Sequence, residues 1–519
     1  MIKMNSIKQF GVSLLIMVVA VACLVGFSKQ VYAETPKYGG ILKIITTRSP
    51  RAIGWPSSSA GPEIVDYFPC FQPLTKINDM GEPVPFLATA WEYGPDLKTL
   101  TLTIRKGVKF HDGSDLNAKV VKMNIDERKK GMLGSDLKTI ESVDVIDEYT
   151  VRLNLSEFVS SLLEAFAGFN GFMVSPNVIE KVQKEKKGKK WAKKNPVGTG
   201  PFKFVKFQRD VILKWERFDG YWEKGKPYLD GIETHYIKDK ITSVTSLRAG
   251  EAHIMWETPA KQAKELKSAG YLLSVSRSGL RSLAGDSKNP ESIFSNMKIR
   301  EAVEYAINKR AITEGLFYGF WEPANQCSPV EANGYNPDLI GRPYNPDKAR
   351  QLLKEAGYPN GFKTKIIANI ADTTKNAMEA VQQDLKKVGI DASIELNDPG
   401  KYRLSLLMGH KNALLFFGTS VPRNLTKQLN GLYKDGSVRL PVLYRPAELQ
   451  EILTKADKEP DFKIQRSLIK KSIRMLSDEA VVIPLWSFVT ITAMHKSVRD
   501  PHFGGEYNFW RPGDAWLSE

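Results

Sequence analysis

Six histidines are the first place to look for metal or acid–base chemistry: His111, His235, His253, His410, His495 and His502. A metal site needs ligands at fixed spacing, such as His-Glu-x-x-His on one helix face. No two of the six are so spaced, so each reads as a structural or surface residue and no metal is expected. Outside the N-terminal segment only Cys70 and Cys327 could supply thiol chemistry. They read as two buried free thiols; a single disulfide is the alternative, and spacing does not decide it. There is no Gly-x-Ser-x-Gly elbow and no Gly-x4-Gly-Lys-Ser/Thr phosphate loop. Gly198-Thr199-Gly200 runs into Pro201, which is turn chemistry and not a dinucleotide loop. Scattered carboxylates can always pair as acid and base, so a secreted hydrolase stays as a third-ranked reading. The expectation is a protein that is not an enzyme and carries no cofactor.

The elements that would position a binding site are legible in part. Residues 41–47 read as a strand entered through Gly39-Gly40, and Leu100–Ile104 and Val151–Leu155 alternate like half-buried strands. Residues 202–217 read as two strands split at Arg209-Asp210, and Ile232–Ile237 as another. Beyond residue 298 the period changes. Ile299, Ala302, Val303 and Ala306 follow helical spacing. Asn345-Pro346 opens a helix that Gly357 stops, and Met378, Val381, Leu385 and Val388 form a stripe ended by Gly389. Ile390–Leu396 then alternates as a strand, with helices expected at 447–457 and 461–477. Helix, glycine stop and strand in succession is α/β wiring.

The chain has 519 residues, too many for one hydrophobic core. Its formal net charge of +16 invites a nucleic-acid partner, but the charge is local. Residues 1–33 have Lys3 and Lys8 before a charge-free run from Phe10 to Phe27, then a small-residue end at Val31-Tyr32-Ala33. This is the secretory pattern, with cleavage expected after Ala33 and the mature chain in the periplasm. A membrane anchor, or a lipoprotein cut before Cys23, is the weaker reading. Removing this segment takes three lysines and no carboxylate and leaves +13. Residues 181–194 hold eight lysines against Glu185 alone, a further +7 in one solvated stretch. No nucleic-acid binding is expected.

Residues 82–124 read EPVPFLATAWEYGPDLKTLTLTIRKGVKFHDGSDLNAKVVKMN. Together with Asn195–Phe202, Gly220–Asp230, Ile299–Arg310, Tyr335–Leu353 and Trp510–Leu517, this strongly resembles the family 5 extracellular solute-binding proteins, the peptide and nickel type of ABC importer receptors. The usual Asp-Val after Ala118 is here Lys119-Val120. The resemblance implies an α/β two-lobed periplasmic-binding-protein fold, large and type II-like with an extra subdomain. Its discontinuous lobes would be joined by two hinge crossings, near Thr258-Pro259 and Ile483-Pro484. Lobe 1 would take 34–55, 196–262 and 484–519, with 56–195 inserted; lobe 2 would take 263–483. It makes Phe110–Gly113 a turn.

The resemblance also implies the function: capture of a small peptide-like or other organic solute between the lobes, and delivery to an ABC permease and its ATPase by a monomer. A ligand-sensing receptor for a membrane signalling protein is the alternative. The residues expected to face the cleft are Arg51, Trp55, Trp256, Phe417, Thr419, Arg423 and Trp486, the aromatics for contact area and the arginines as forked donors. Core packing is the competing reading for each tryptophan. Peptide-binding relatives often carry an acidic residue in the phrase that here reads Leu414–Asn424. This stretch has no carboxylate and has Arg423, which moves the expectation toward an anionic or neutral ligand.

Overall fold

The computed structural model describes residues 34–58, 62–330, 332–370, 375–420, 424–503 and 510–518. The segment 1–33, with its secretory reading and Cys23, lies outside the described residues, as does Arg423. By contacts the chain separates into Met1–Lys37 and Tyr38–Glu519. Residues 34–37 of the first carry no helix or strand.

Strand β1 (Ile41–Thr46) is followed by a four-stranded antiparallel sheet of β2 (Ala88–Tyr93), β3 (Thr99–Ile104), β4 (Ile140–Asp147) and β5 (Thr150–Leu155), with helix α1 (Ala118–Lys129) against it. Its order is β2-β3-β5-β4. The alternation of Thr99–Ile104 buries Leu100, Leu102 and Ile104 on one face, as a period of two requires. These residues fill a core of their own with Phe110 and Phe166. The lysine-rich stretch forms α2 (Pro176–Lys184) and α3 (Gly188–Ala192), where Lys181 and Lys184 pair with Glu185 and Glu180 on the surface. Its excess charge is solvated, as the isolated lysine run suggested.

The chain then supplies β6 (Phe202–Gln208), β7 (Ile212–Arg217), β8 (Gly231–Tyr236), β9 (Ile254–Met255), α4 (Ala260–Ser268) and the long β10 (Leu272–Gly285). Next come α5 (Met297–Ala306), α6 (Lys309–Phe317), β11 (Glu322–Pro323), α7 (Pro346–Glu355), β12 (Phe362–Asn369), α8 (Lys375–Lys386), β13 (Ile390–Asn397) and β14 (Leu414–Ser420). Helices α9 (Thr426–Tyr433), α10 (Ala447–Asp457) and α11 (Phe462–Asp478) precede the last long strand, β15 (Ile483–Met494). One sheet of eleven strands runs β13-β12-β14-β10-β15-β9-β1-β8-β7-β6, with β11 on β15. Apolar cores flank it separately at its two ends. Leu42, Ile44, Trp215 and Ile232 belong to one; Ile299, Val303, Leu352, Val381 and Ile390 belong to another.

The middle of this sheet is narrow. Strands β10 and β15 pair antiparallel from Leu272↔Met494 to Leu283↔Ile483. On its far edge β10 meets β14 only from Gly279 onward. On its far edge β15 meets β11 at Trp486 and Ser487, and β9 at Ala493 and Met494. Around Ser276↔Thr490 and Arg277↔Val489 the ladder is therefore a ribbon two strands wide among the described residues. Bulges interrupt it between Arg277 and Gly279 and between Arg281 and Ser282. Thr258-Pro259 lies ahead of this ribbon: the Thr258 amide donates to Ile491 O, and α4 intervenes before β10.

Candidate functional site between two facing strand edges

Open α/β sheets bind ligands outside the carboxyl ends of their parallel strands. Register places two such edges here. Strands β1, β8 and β9 are mutually parallel, and β9 runs along β15 toward its middle. Their carboxyl ends carry Thr46, Tyr236 and Met255. Strands β12, β13 and β14 are also parallel, and β14 runs along β10 toward Gly279. Their carboxyl ends carry Asn369, Asn397 and Ser420. Both edges thus point at the two-stranded ribbon from opposite sides, and the ribbon is the floor between them.

The first edge is polar and charged. Arg48 forms an ion pair with Glu257, which holds a left-handed backbone at φ 58°. Such backbone in a non-glycine residue is a cost that surrounding structure must hold in place. Tyr236 donates to Asp66 at 3.2 Å, and burial, with Asp66 beside it, pushes the phenol far up. The Thr46 hydroxyl is buried and has no partner among the described residues.

On the floor, Arg277 pairs with Glu322 at 2.6 Å. Arg281 lays its guanidinium over the Phe488 ring, 4.7 Å from the centroid, and near Phe416 at 5.8 Å. It also lies on the backbone of Gly418, where a Cβ would sit 1.8 Å from its Nη1. A cavity of about 590 Å³ opens beside Glu322 and Ser487.

Away from the ribbon, the 56–195 segment touches the helices that follow β14. Lys427 on α9 pairs with Asp136 at 2.5 Å, and Lys458 with Glu157 at 3.5 Å. The Ser160 amide donates to Asp457 O at 3.0 Å. These contacts tie the 56–195 segment to the helices that follow β14 and form a rim.

The residues expected at the cleft separate by environment. Arg51 is exposed beyond β1. Thr419 lies beside Leu280 at the second edge. Trp55 and Trp256 are packed in the core around Leu42 and Ile254, and Phe417 in the core around Leu415 and Leu429. Trp486 is fully buried, 6.0 Å from Phe416 and 6.2 Å from Phe317, yet among the described residues its indole Nε1 has no partner. Arg277, Arg281, Glu322 and the rim ion pairs were not anticipated. The only signal was the Ser-Val-Ser-Arg-Ser-Gly run at 274–279, polar on alternate residues with a glycine at the bulge.

Cys70 and Cys327 are both buried and free, in different cores, as read from the sequence. Among the described residues no group of three His, Cys, Asp or Glu side chains could hold a metal ion.

The model for "Bacterial extracellular solute-binding proteins, family 5 Middle" matches residues 82–422. The glutathione-binding protein GsiB of Pectobacterium atrosepticum is 34% identical over 323 residues, 61% of each chain, and that of Escherichia coli O1:K1 is 33% identical over the same share. The chain thus spans about three fifths of the length of the curated relatives it matches. Among solved structures, HbpA2 from Haemophilus parasuis superimposes with a TM-score of 0.82 at 21% identity, over 92% of this chain and 100% of that one. DppA from Helicobacter pylori in complex with the peptide STSA gives 0.75 at 24%, over 93% and 99%. NikA from Brucella suis in complex with Fe(III)-EDTA gives 0.79 at 22%, over 92% and 99%. These likenesses show the two-lobed binding-protein fold. With two thirds of its length matched, this chain belongs to family 5 of the bacterial extracellular solute-binding proteins.

Proposed function

We propose that the protein is the extracytoplasmic receptor of an ABC importer, capturing a small solute without turnover and presenting it to a membrane permease and its ATPase. The observation that carries this reading is the pair of carboxyl edges facing each other across a ribbon two strands wide. A ligand touching both edges favours closure because only differential contact shifts the population. The lobes are those the resemblance implies, 34–55, 196–262 and 484–519 with 56–195 inserted against 263–483, but with both boundaries moved. Residues 263–277 go to the first, where Leu266 packs with Met255 and Ala493, and 484–487 to the second, where Leu485 and Trp486 share the core of Ile299. The pivot lies in the ribbon, at the bulge between Arg277 and Gly279. Residues 1–33 direct export and are removed after Ala33.

The ligand is a peptide-like or other small organic solute bearing negative charge. Arg48, Arg277 and Arg281 on the edges and floor support this, with Arg51, Thr419 and Arg423 as further contacts. Trp55, Trp256, Phe417 and Trp486 act from behind as the packed support of those edges. Glutathione, for which the GsiB relatives are named, carries two carboxylates on a peptide frame and is the first solute to try.

The test is mass spectrometry of solute released from the purified protein, followed by thermal-shift titration with glutathione, short peptides and organic acids. A true ligand at about 100 times its Kd adds about 2.7 kcal/mol of stability. A protein that releases no solute and is stabilised by none of these classes overturns the reading.

The rim gives a second expected result. Lys427→Glu places two carboxylates together where an ion pair now closes the gap, so ligand affinity falls about three- to tenfold at low ionic strength, and the loss shrinks as salt screens the repulsion. Asp136→Lys added to Lys427→Glu restores most of it. Equal affinity in all three proteins would show that the rim contributes nothing to closure.

A further inference from the structure

A second cavity, of about 460 Å³, lies wholly outside the gap between the lobes. Among the described residues its lining comes from 68–86, 201–226, 502–503 and 510–514, with none from β10, β15 or the 263–483 lobe. One wall is apolar: Phe68, Phe71, Phe503 and Trp510 are all buried, and Phe503 stacks on Trp510 with centroids 4.7 Å apart. This is the size and lining of a small-molecule site.

The opposite wall carries Lys76, Lys226 and Arg511 against Asp79, Glu223 and Asp514, equal in number but unevenly shared. Lys226 takes both nearby carboxylates, pairing with Glu223 at 2.8 Å and with Asp514 at 2.5 Å. Tyr221 also donates to Glu223, at 2.9 Å, and His502 and Arg511 stand 3.8 and 4.0 Å from Asp514. Lys76 has no carboxylate within ion-pair distance among the described residues; its ammonium rests 3.4 Å from the centre of the Phe86 ring. Desolvation first, then Arg511 and Lys226, lower its pKa to about 8, with Glu223 and Asp514 acting in the opposite sense. An ammonium taken out of water and repelled by two other cations is costly unless an anion joins it.

We propose that this cavity is a second ligand site for a small organic carboxylate with a flat apolar body, its carboxylate held by Lys76 and Arg511 and its body against Phe71 and Trp510. The aromatic wall supplies contact area, and the arginine at the mouth supplies forked donors to the carboxylate. Because all these groups belong to one lobe, the site is available whether the lobes are open or closed.

The probe is benzoate, titrated by calorimetry into the full-length mature protein. One benzoate per chain is expected, with affinity unchanged by saturating glutathione and by Lys427→Glu. Lys76→Met, which keeps the apolar stem, and Arg511→Gln should each weaken it at least tenfold while leaving solute binding between the lobes intact. Binding weaker than ~10 mM, equal binding in Lys76→Met, or displacement by glutathione overturns the proposal. Loss of glutathione binding with benzoate binding retained would instead count against the interlobe ligand alone.

Discussion

Replacing Gly279 by valine is expected to weaken ligand binding at least tenfold in a protein that still folds. Gly279 is the residue at which β10 leaves the two-stranded ribbon and begins to pair with β14. A Cβ there would sit 2.2 Å from Thr419 O and 2.3 Å from the Phe488 ring, so backbone on one side and an aromatic on the other must give way. Overpacking of this kind costs about 1–3 kcal/mol. Here the displaced groups are Thr419, at one strand edge, and Phe488, on which Arg281 stacks. Pushing them apart changes the twist of the ribbon that sets the angle between the lobes. Two-stranded ribbons twist more freely than wider sheets, so the strain goes into lobe orientation before it unravels either core. If the closed form loses ~1.4 kcal/mol relative to the open one, apparent affinity falls about tenfold. Titration of the solute, with small-angle scattering in its presence and absence, checks both halves. Unchanged affinity in folded Gly279→Val protein would place the pivot elsewhere.

The ribbon is also where sequence reading ran out. The helices beyond residue 298 announce themselves because each buries one stripe: Ile299, Ala302, Val303 and Ala306 on α5, and Met378, Val381 and Leu385 on α8. Their capping asparagines and glycine stops are local signals as well. Asn345 accepts from the Lys348 amide, and Gly389 adopts φ 93°. Strand β10 has no such signature. Its first half, Leu272–Arg277, has only a small core on one side, where Leu273 packs against Leu247 and Met255, so Leu272 and Val275 are exposed and no clean alternation results. The apolar run at 481–486 shows where β15 starts, but not that it continues to Met494 through the same ribbon. Type and spacing do not separate a tryptophan that faces a ligand from one that fills a core, and both Trp55 and Trp486 are buried in cores here. The cations that do line floor and edge, Arg277 and Arg281, sit in a strand whose pattern hid it.

Acidification should destabilise the protein through His111, and the histidine's neighbours explain why the 110–113 phrase exists at all. Phe110–Gly113 turns on a left-handed Gly113 at φ 86°, and Asp112 accepts from the Ser114 amide, the Asn177 amide group and the Ser175 hydroxyl. This points His111 into the Gly198-Thr199-Gly200 turn. One ring nitrogen, Nε2, lies 2.9 Å from Gly200 O, and the other, Nδ1, lies 3.4 Å from the Gly198 amide. Only the neutral tautomer with its proton on Nε2 can donate to the carbonyl and accept from the amide. The turn is locked from behind as well, since a Cβ on Gly198 would lie 2.1 Å from Cys70 O. Two phrases eighty-odd residues apart are thus one joint, fastened by an uncharged imidazole. Burial lowers its pKa from 6.5 to about 4. The unfolded chain therefore takes up a proton below about pH 6.5 while the folded one does not, and stability is lost as pH falls from there toward 4. The full effect is about 3 kcal/mol. His410, half-buried and also lowered to about 4 by desolvation, adds a loss over the same window. Substituting His111→Ala should cost about 2–4 kcal/mol at pH 7.5, through the cavity and the two unpaired backbone groups. It should also flatten the pH dependence by His111's share. Urea unfolding of both proteins between pH 4.5 and 7.5 separates the two effects: a His111→Ala protein that is weaker but keeps the full acid slope would mean that the imidazole packs without governing the titration.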